Sequence, residues 1–213
     1  MAGAADGAKR PGRTSVWLEG GAPRGRAARG GGRPSGLDRE RITAATVRLL
    51  DADGIAGFSM RRLAAELNVT AMSVYWYVDT KDELLELALD AVLGELELPE
   101  AESEDDWRDR LRGLATGYRA LLVRHPWVSG LIGNFLNIGP RAVAFSVCVR
   151  RVIRDTGMPA YGWTGAMSAV LQFVYGSHFA GVAGLGEETR ERDFGFALEL
   201  LIAGIEAMVP RPG

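Results

Sequence analysis

The side chains best suited to acid–base, nucleophilic or metal chemistry in this 213-residue chain are two histidines and one cysteine. His125 and His178 lie 53 positions apart, and Cys148 has no second cysteine to pair with. No Gly-Lys-Ser/Thr phosphate loop, Gly-x-Gly-x-x-Gly, His-Glu-x-x-His or Gly-x-Ser-x-Gly occurs, so the chain reads as a non-enzyme with no cofactor and no metal site. His125 precedes Pro126 at a helix junction and reads as a capping or surface residue. A denser set of polar groups lies between Ser59 and Lys81: the hydroxyls of Ser59, Thr70, Ser73, Tyr75 and Tyr77, the Arg61 guanidinium and the Lys81 ammonium. Donors and cations without a neighbouring base or nucleophile suit binding rather than bond making.

Holding these groups requires two short helices at a steep angle. Such a helix-turn-helix needs a small residue at the crossing, a turn residue that tolerates positive φ and an apolar anchor on the second helix, and Ala64, Asn68 and Val74 occupy those places. With Leu63, Leu67 and Val69 beneath, the outward face holds Thr70, Ala71, Met72, Ser73, Tyr75 and Tyr77. A helix of this kind fits a major groove about 12 Å wide. The spacing alone is equally that of an all-α protein that never meets DNA. Two outward tyrosines flanking Trp76, with Lys81 just beyond, tip the reading toward DNA. Charge does not, because acidic and basic residues balance across this region.

Apolar spacing is helical almost everywhere from Leu37 onward, which predicts an all-α fold. Asp38, Ser59, Thr70 and the Thr80-Lys81-Asp82-Glu83 box offer helix starts, and Gly54 is expected to end the first helix. Residues 1–36 carry seven Lys/Arg against two Asp/Glu, within a net charge of −2 for the whole chain, and 10 of the 28 glycines. This stretch is expected to be a disordered basic arm. Residues 37–97 form the helix-turn-helix domain with a connecting fourth helix, and 103–210 a second helical domain. The start of the chain has no secretory signal, and a single cysteine gives no disulfide, so the expected compartment is the cytoplasm.

Leu-x-Val-x-x-x-Ser-Val-Tyr-Trp-Tyr-Val-x-x-Lys-x-x-Leu, from Leu67 to Leu84, resembles the DNA-binding domain of the tetracycline-repressor (TetR) family, and the likeness runs over residues 38–92. It implies base contacts from Arg61, Ala71, Met72 and Tyr77, with Ser73, Tyr75 and Lys81 on phosphates; Ser59 and Thr70 complete the expected surface. The chemistry agrees, since hydroxyls and an ammonium position a module on phosphates whereas a guanidinium bridges guanine O6 and N7.

From Met158 to Gly186 no charged residue occurs over 29 positions, long enough for a membrane span of about 20 residues. Six glycines and the polar Thr164, Ser168, Gln172, Ser177 and His178 argue instead for a helix buried on both sides. Its small stripe, Gly165, Ala169, Gly176, Ala180 and Gly184, is expected to build a homodimer interface with Leu198, Leu201 and Ile205. The resemblance further implies a small-molecule pocket. Trp107, Tyr118, Phe135, Phe145 and Met167 are candidates to line it, with Leu171, Phe173, Tyr175 and His178, and Asn134 or Asn137 could orient the ligand. The expected function is a dimeric repressor released from its DNA operator by an apolar or aromatic effector. The alternative is a regulator or activator without a small-molecule ligand, controlled by a protein partner.

Overall fold

The computed structural model describes residues 15–18, 36–101, 103–179 and 186–210, and all regular structure among them is helical. α1 (Arg39–Gly57), α2 (Met60–Glu66) and α3 (Ala71–Val74) each begin at the expected cap. Asp38 accepts from Arg41 N at 2.7 Å, Ser59 from Arg62 N at 3.3 Å and Thr70 from Ser73 N at 3.2 Å. Each bond satisfies a backbone donor that a first helical turn leaves open. Asn68 holds φ at 54°, the left-handed conformation its turn requires. Gly54 does not end α1: its φ/ψ of 67°/−179° kinks the chain, which is helical again up to Gly57. Only glycine reaches that region without strain. Ile42, Ala45 and Leu50 of α1 are buried, as are Leu63, Val74 and Val78 of the helix-turn-helix; each fully buried Leu or Ile contributes about 1.5–3 kcal/mol.

α4 (Lys81–Leu93) starts at a reciprocal box, with Thr80 Oγ1 accepting from Glu83 N at 3.0 Å and the Glu83 carboxylate from Asp79 N at 2.7 Å. Leu84 to Asp90 are all buried, because α4 packs on α1, α6 (Trp127–Leu131) and α7 (Pro140–Asp155). Two carboxylates sit in that buried stretch, and each draws donors from another segment. Asp90 Oδ1 accepts from the backbone N–H of Arg141 and Ala142 at 3.1 and 3.0 Å, capping α7 from α4. A Cβ at Gly139 would come within 2.2 Å of this carboxylate. Glu86 accepts from Ser15 Oγ at 2.8 Å and Val16 N at 3.0 Å.

Residues 15–18 therefore form a turn docked on α4, with Trp17 packed against the core. This differs from the expectation of a disordered arm over 1–36. A buried carboxylate needs donors, and Trp17 brings the large apolar surface that the surrounding glycines lack. Residues 1–14 and 19–35 of the expected arm lie outside the described residues.

Asp106 caps α5 (Trp107–Arg124), accepting from Arg108 N at 2.7 Å. A 3-10 turn, Ala160–Gly162, leads into α8 (Trp163–Phe179), and α9 (Glu187–Ala207) follows. Among the described residues no helix is long and apolar enough to cross a membrane. α9 is fastened to α5 by an Arg108–Glu206 ion pair and by Arg112, whose Nε and Nη2 donate to both carboxylate oxygens of Glu199 at 2.6 and 2.8 Å. The Arg119 guanidinium lies 4.8 Å over the Phe194 ring.

Candidate nucleic-acid interface and ligand cavity

Arg61, Thr70, Met72, Tyr75 and Trp76 project from α2, α3 and the turn after them, with Met72 69% exposed and Tyr75 44%. Ala71, Ser73 and Tyr77 are half-buried. The Ser59 and Thr70 hydroxyls are committed to caps, and Thr70 Oγ1 also lies 2.9 Å from Ser73 Oγ. Because α3 stops at Val74, the next three residues follow a turn and not helical spacing. Trp76 consequently faces out, a position the sequence reading missed, and Tyr77 packs against the core. Arg62 pairs with Asp53 at 2.6 Å and Arg39 with Glu83, whereas Arg61 makes no ion pair among the described residues. Lys81 Nζ donates to Phe58 O at 3.0 Å and lies 5.3 Å from the Phe58 ring centroid, which ties the start of α4 to the α1–α2 junction.

A second polar cluster joins the helix-turn-helix to the remaining helices. His125 is 3% exposed, with Nδ1 2.7 Å from Asp51 Oδ1 of α1 and Nε2 3.2 Å from Glu95 Oε2 just past α4. Trp127 Nε1 of α6 donates to the same Asp51 oxygen at 2.7 Å. Burial works to raise the Glu95 carboxyl, but hydrogen bonds from His125 and Arg124 outweigh it and hold the group below its ordinary range. His125 does cap α5, its backbone N–H donating to Leu121 O at 2.8 Å, but its side chain is a buried joint and not a surface group. Its partner is 74 positions away, which no local pattern reveals.

A cavity of about 300 Å³ opens among the end of α4, α5, α7 and α8. Of the candidate residues, Tyr118, Phe145, Leu171 and Tyr175 line it, together with Leu93, Asn137 and Gln172. Phe135 lines a smaller adjoining hollow with Trp17 and Asn137. Three other candidates serve packing elsewhere: Phe173 stacks on Phe194 at 5.2 Å, Trp107 lies 4.6 Å under the Arg108 guanidinium, and Met167 packs half-buried against the core. The His178 side chain lies outside the described residues. The Tyr118 ring is 5.2 Å from that of Phe145, and burial pushes its phenol well above the ordinary range, so it stays neutral. Tyr175 Oη donates to Ser129 O at 2.7 Å. Asn134 is exposed and donates to Gly130 O. Among the described residues no charged side chain lines the cavity, which suits an uncharged occupant. Among the described residues no group of three His, Cys, Asp or Glu side chains is placed to hold a metal ion.

Gly165, Ala169 and Gly176 lie exposed along α8; Ala180 and Gly184 fall outside the described residues. On α9, Leu198 and Ile205 are buried in the protomer and Leu201 is half-buried, contrary to the expectation that these three face a partner. The outward positions are Phe196, at 69% exposure, and Leu200, at 61%. Arg108, Arg112 and Arg119 of α5 contact Glu206, Glu199 and Phe194 of α9 in this phase, with the Leu198 side inward.

Two short helices, α2 and α3, joined by a left-handed turn at Asn68 and followed by a larger helical part, place the chain in the class of helix-turn-helix proteins. Residues 42–88 match the family described as bacterial regulatory proteins, tetR family, and residues 98–193 match the tetracyclin repressor-like C-terminal domain. The chain belongs to the TetR family of transcriptional regulators. An HTH-type transcriptional regulator of Saccharopolyspora erythraea is 41% identical over 141 residues, 66% of this chain, and the match spans only 59% of that relative's length. A single-substitution variant of TetR from Acinetobacter baumannii AYE, solved in complex with minocycline, is 27% identical with a TM-score of 0.71, over 82% of this chain and 99% of that one. BioQ, solved with its natural double-stranded DNA operator, is 28% identical with a TM-score of 0.65, over 80% and 99%.

Proposed function

We propose that this chain is a cytoplasmic, homodimeric repressor that leaves its DNA operator when a neutral, apolar or aromatic molecule fills the cavity. One observation carries the reading: Leu93, the last residue of α4, lines the cavity, while Lys81, its first, is fastened beside the surface that bears Arg61 and Tyr75. At about 1.5 Å per residue α4 is a rod roughly 20 Å long, so a displacement at one end reaches the other. Minocycline in the A. baumannii relative and the operator in BioQ support the two ligand classes. Arg61 and Met72 meet base edges, with Tyr75, Ser73 and Lys81 on phosphates. Dimerisation through the α8 and α9 faces sets two such heads on half-sites one or more turns apart.

The test pairs thermal shift against a panel of uncharged aromatic compounds with fluorescence anisotropy on DNA upstream of the protein's own gene. A compound that stabilises the fold lowers operator affinity, and the operator lowers compound affinity by the same factor. A stabilising compound that leaves operator affinity untouched overturns the proposal and favours control by a protein partner.

A further inference from the structure

The polar side chains in the cavity wall are Tyr118, Asn137, Ser146, Gln172 and Tyr175, and two of them are already spent within the protein. Tyr175 Oη donates to Ser129 O, and the Asn137 amide nitrogen donates to Ile132 O inside the α6–α7 loop while its oxygen is closed off. Tyr118, Ser146 and Gln172 make no hydrogen bond among the described residues. Ser146 shares the cavity-lining face of α7 with Ala142 and Phe145, and Gln172 that of α8 with Leu171 and Tyr175. Tyr118 lies deepest: it is 5% exposed, whereas Ser146 is half-buried and Gln172 is exposed at the mouth. Sealed side-chain atoms without a partner occur among the described residues in Arg39, Asp90, Arg110 and Asn137 but not in Tyr118, so the Tyr118 hydroxyl keeps open surface. In a residue this buried, that surface opens into the cavity the residue lines. A buried tyrosine hydroxyl nearly always finds a partner, so an open, unbonded one in the wall of a ligand-sized cavity points to a partner that arrives with the ligand.

We infer that the Tyr118 hydroxyl is the polar anchor of the cavity, and that its ligand is a neutral aromatic molecule carrying a carbonyl acceptor, an aryl ketone or a quinone. This rests on the reading of the cavity as the effector site and narrows its chemistry. Burial keeps the phenol neutral, so it has a proton to give. Resonance of the oxygen lone pair with the ring makes a phenol a better donor than acceptor. The Phe145 ring, 5.2 Å from that of Tyr118, and Leu171 offer the apolar surface that an aromatic body needs. Among the described residues no cation lines the cavity, so nothing offsets the desolvation of an anion. The anchor is also well placed to signal. Leu93 of α4 lines the same cavity, as do Ile132 and Asn137 of the α6–α7 loop, whose Gly139 packs against Asp90 of α4. A ligand held at Tyr118 therefore bears on the end of α4 and on the cavity loop beside its Asp90 tether.

The experiment compares two probes of nearly equal shape, 2-acetylnaphthalene and 2-isopropenylnaphthalene, which differ by a carbonyl oxygen in place of a methylene, by calorimetric titration of the full chain. The wild-type protein binds the ketone at least ten-fold more tightly, since a site with an unpaired donor discriminates against an analogue lacking the acceptor. Tyr118→Phe keeps the ring, removes the hydroxyl and cuts the preference for the ketone to about two-fold or less. Equal binding to wild type, or a preference that survives in Tyr118→Phe, overturns the anchor. If both probes bind equally and still lower operator affinity, the effector-site reading stands and the anchor alone fails. If neither probe binds, both fail. The wild-type comparison remains decisive should the variant not fold.

Discussion

Replacing Asp51 with Ala tests the joint between the helix-turn-helix and the remaining helices. Asp51 Oδ1 accepts from both His125 Nδ1 and Trp127 Nε1 at 2.7 Å, and those two residues are 3% and 4% exposed. Removing the carboxylate strands the indole N–H and one imidazole nitrogen, each a buried polar group that costs about 1–3 kcal/mol when unpaired. Asp51 itself is one-third exposed, so water reaches part of the gap and the expected loss falls in the lower half of the combined range, about 3 kcal/mol. For a chain of this size each kcal/mol moves the melting temperature by roughly 2–4 °C, which places the expected drop at about 6–12 °C. The assay is thermal unfolding followed by circular dichroism at neutral pH. Trp127→Phe keeps the ring and removes the N–H, so Asp51→Ala should cost less in that background, by about 1 kcal/mol. A drop under about 2 °C, or strictly additive single and double variants, would refute the joint as a stabilising contact.

Four further outcomes follow from the same geometry. Gly54→Ala meets no steric neighbour, so its cost is that of the backbone conformation, about 1–3 kcal/mol; chemical denaturation giving less than a third of a kcal/mol would show that α1 relaxes around the kink. Glu95 has a folded-state pKa below its ordinary 4.5, so its stabilisation is present above that pH and lost as pH falls through the folded value. Glu95→Gln should flatten the acid limb of the stability profile as pH falls below the ordinary carboxyl range, and an unchanged limb counts against the pairing. Arg61→Ala should weaken operator binding by about 1–3 kcal/mol and relax base preference, whereas Lys81→Ala should weaken all DNA alike, reduce the salt slope and also lower the melting temperature through its Phe58 contact. Glu86→Leu should undock Trp17, seen as a red shift in the emission that Trp17→Phe removes; an unshifted spectrum means the turn holds without its carboxylate.

Four element starts were legible because each rests on a local bond: Asp38, Ser59, Thr70 and Thr80 all cap within three residues of themselves. The shape of the turn at Asn68 was legible for the same reason. Gly54 misled because positive φ marks a helix end and a helix kink equally well, and only tertiary packing decides between them. On α9 the sequence carries two apolar faces, one through Leu198 and Ile205 and one through Phe196 and Leu200. The face that turns inward does so in contact with α5, some ninety positions away, which periodicity alone does not reveal. The cavity was half legible: aromatic residues at helical spacing are common to cores and pockets, and Phe173 went to the core while Tyr118 and Phe145 went to the cavity. Trp17 was hidden by a glycine- and arginine-rich neighbourhood, although what docks its turn, Glu86, is one of two carboxylates in the otherwise apolar buried stretch of α4.

α4 collects these long-range contacts in sequence along its length. Lys81 and Glu83 hold it to Phe58 and Arg39, Glu86 to residues 15 and 16, Asp90 to the start of α7, and Leu93 touches the cavity. A coupling between ligand and operator of about 1–3 kcal/mol is enough to change affinity by roughly 5- to 150-fold. Each hydrogen bond to a charged group is worth about 1.5–3 kcal/mol, so loosening the pair at Asp90 alone covers that range without melting any helix. Regulation of this size therefore needs a ligand only to alter one tether on α4, and the Asp90 tether is the one that adjoins the cavity loop. A variant that weakens it, such as Asp90→Asn, should shift operator affinity in the absence of any ligand and shrink the further change that a ligand produces. If ligand response stays full in that variant, the signal leaves the cavity by another route.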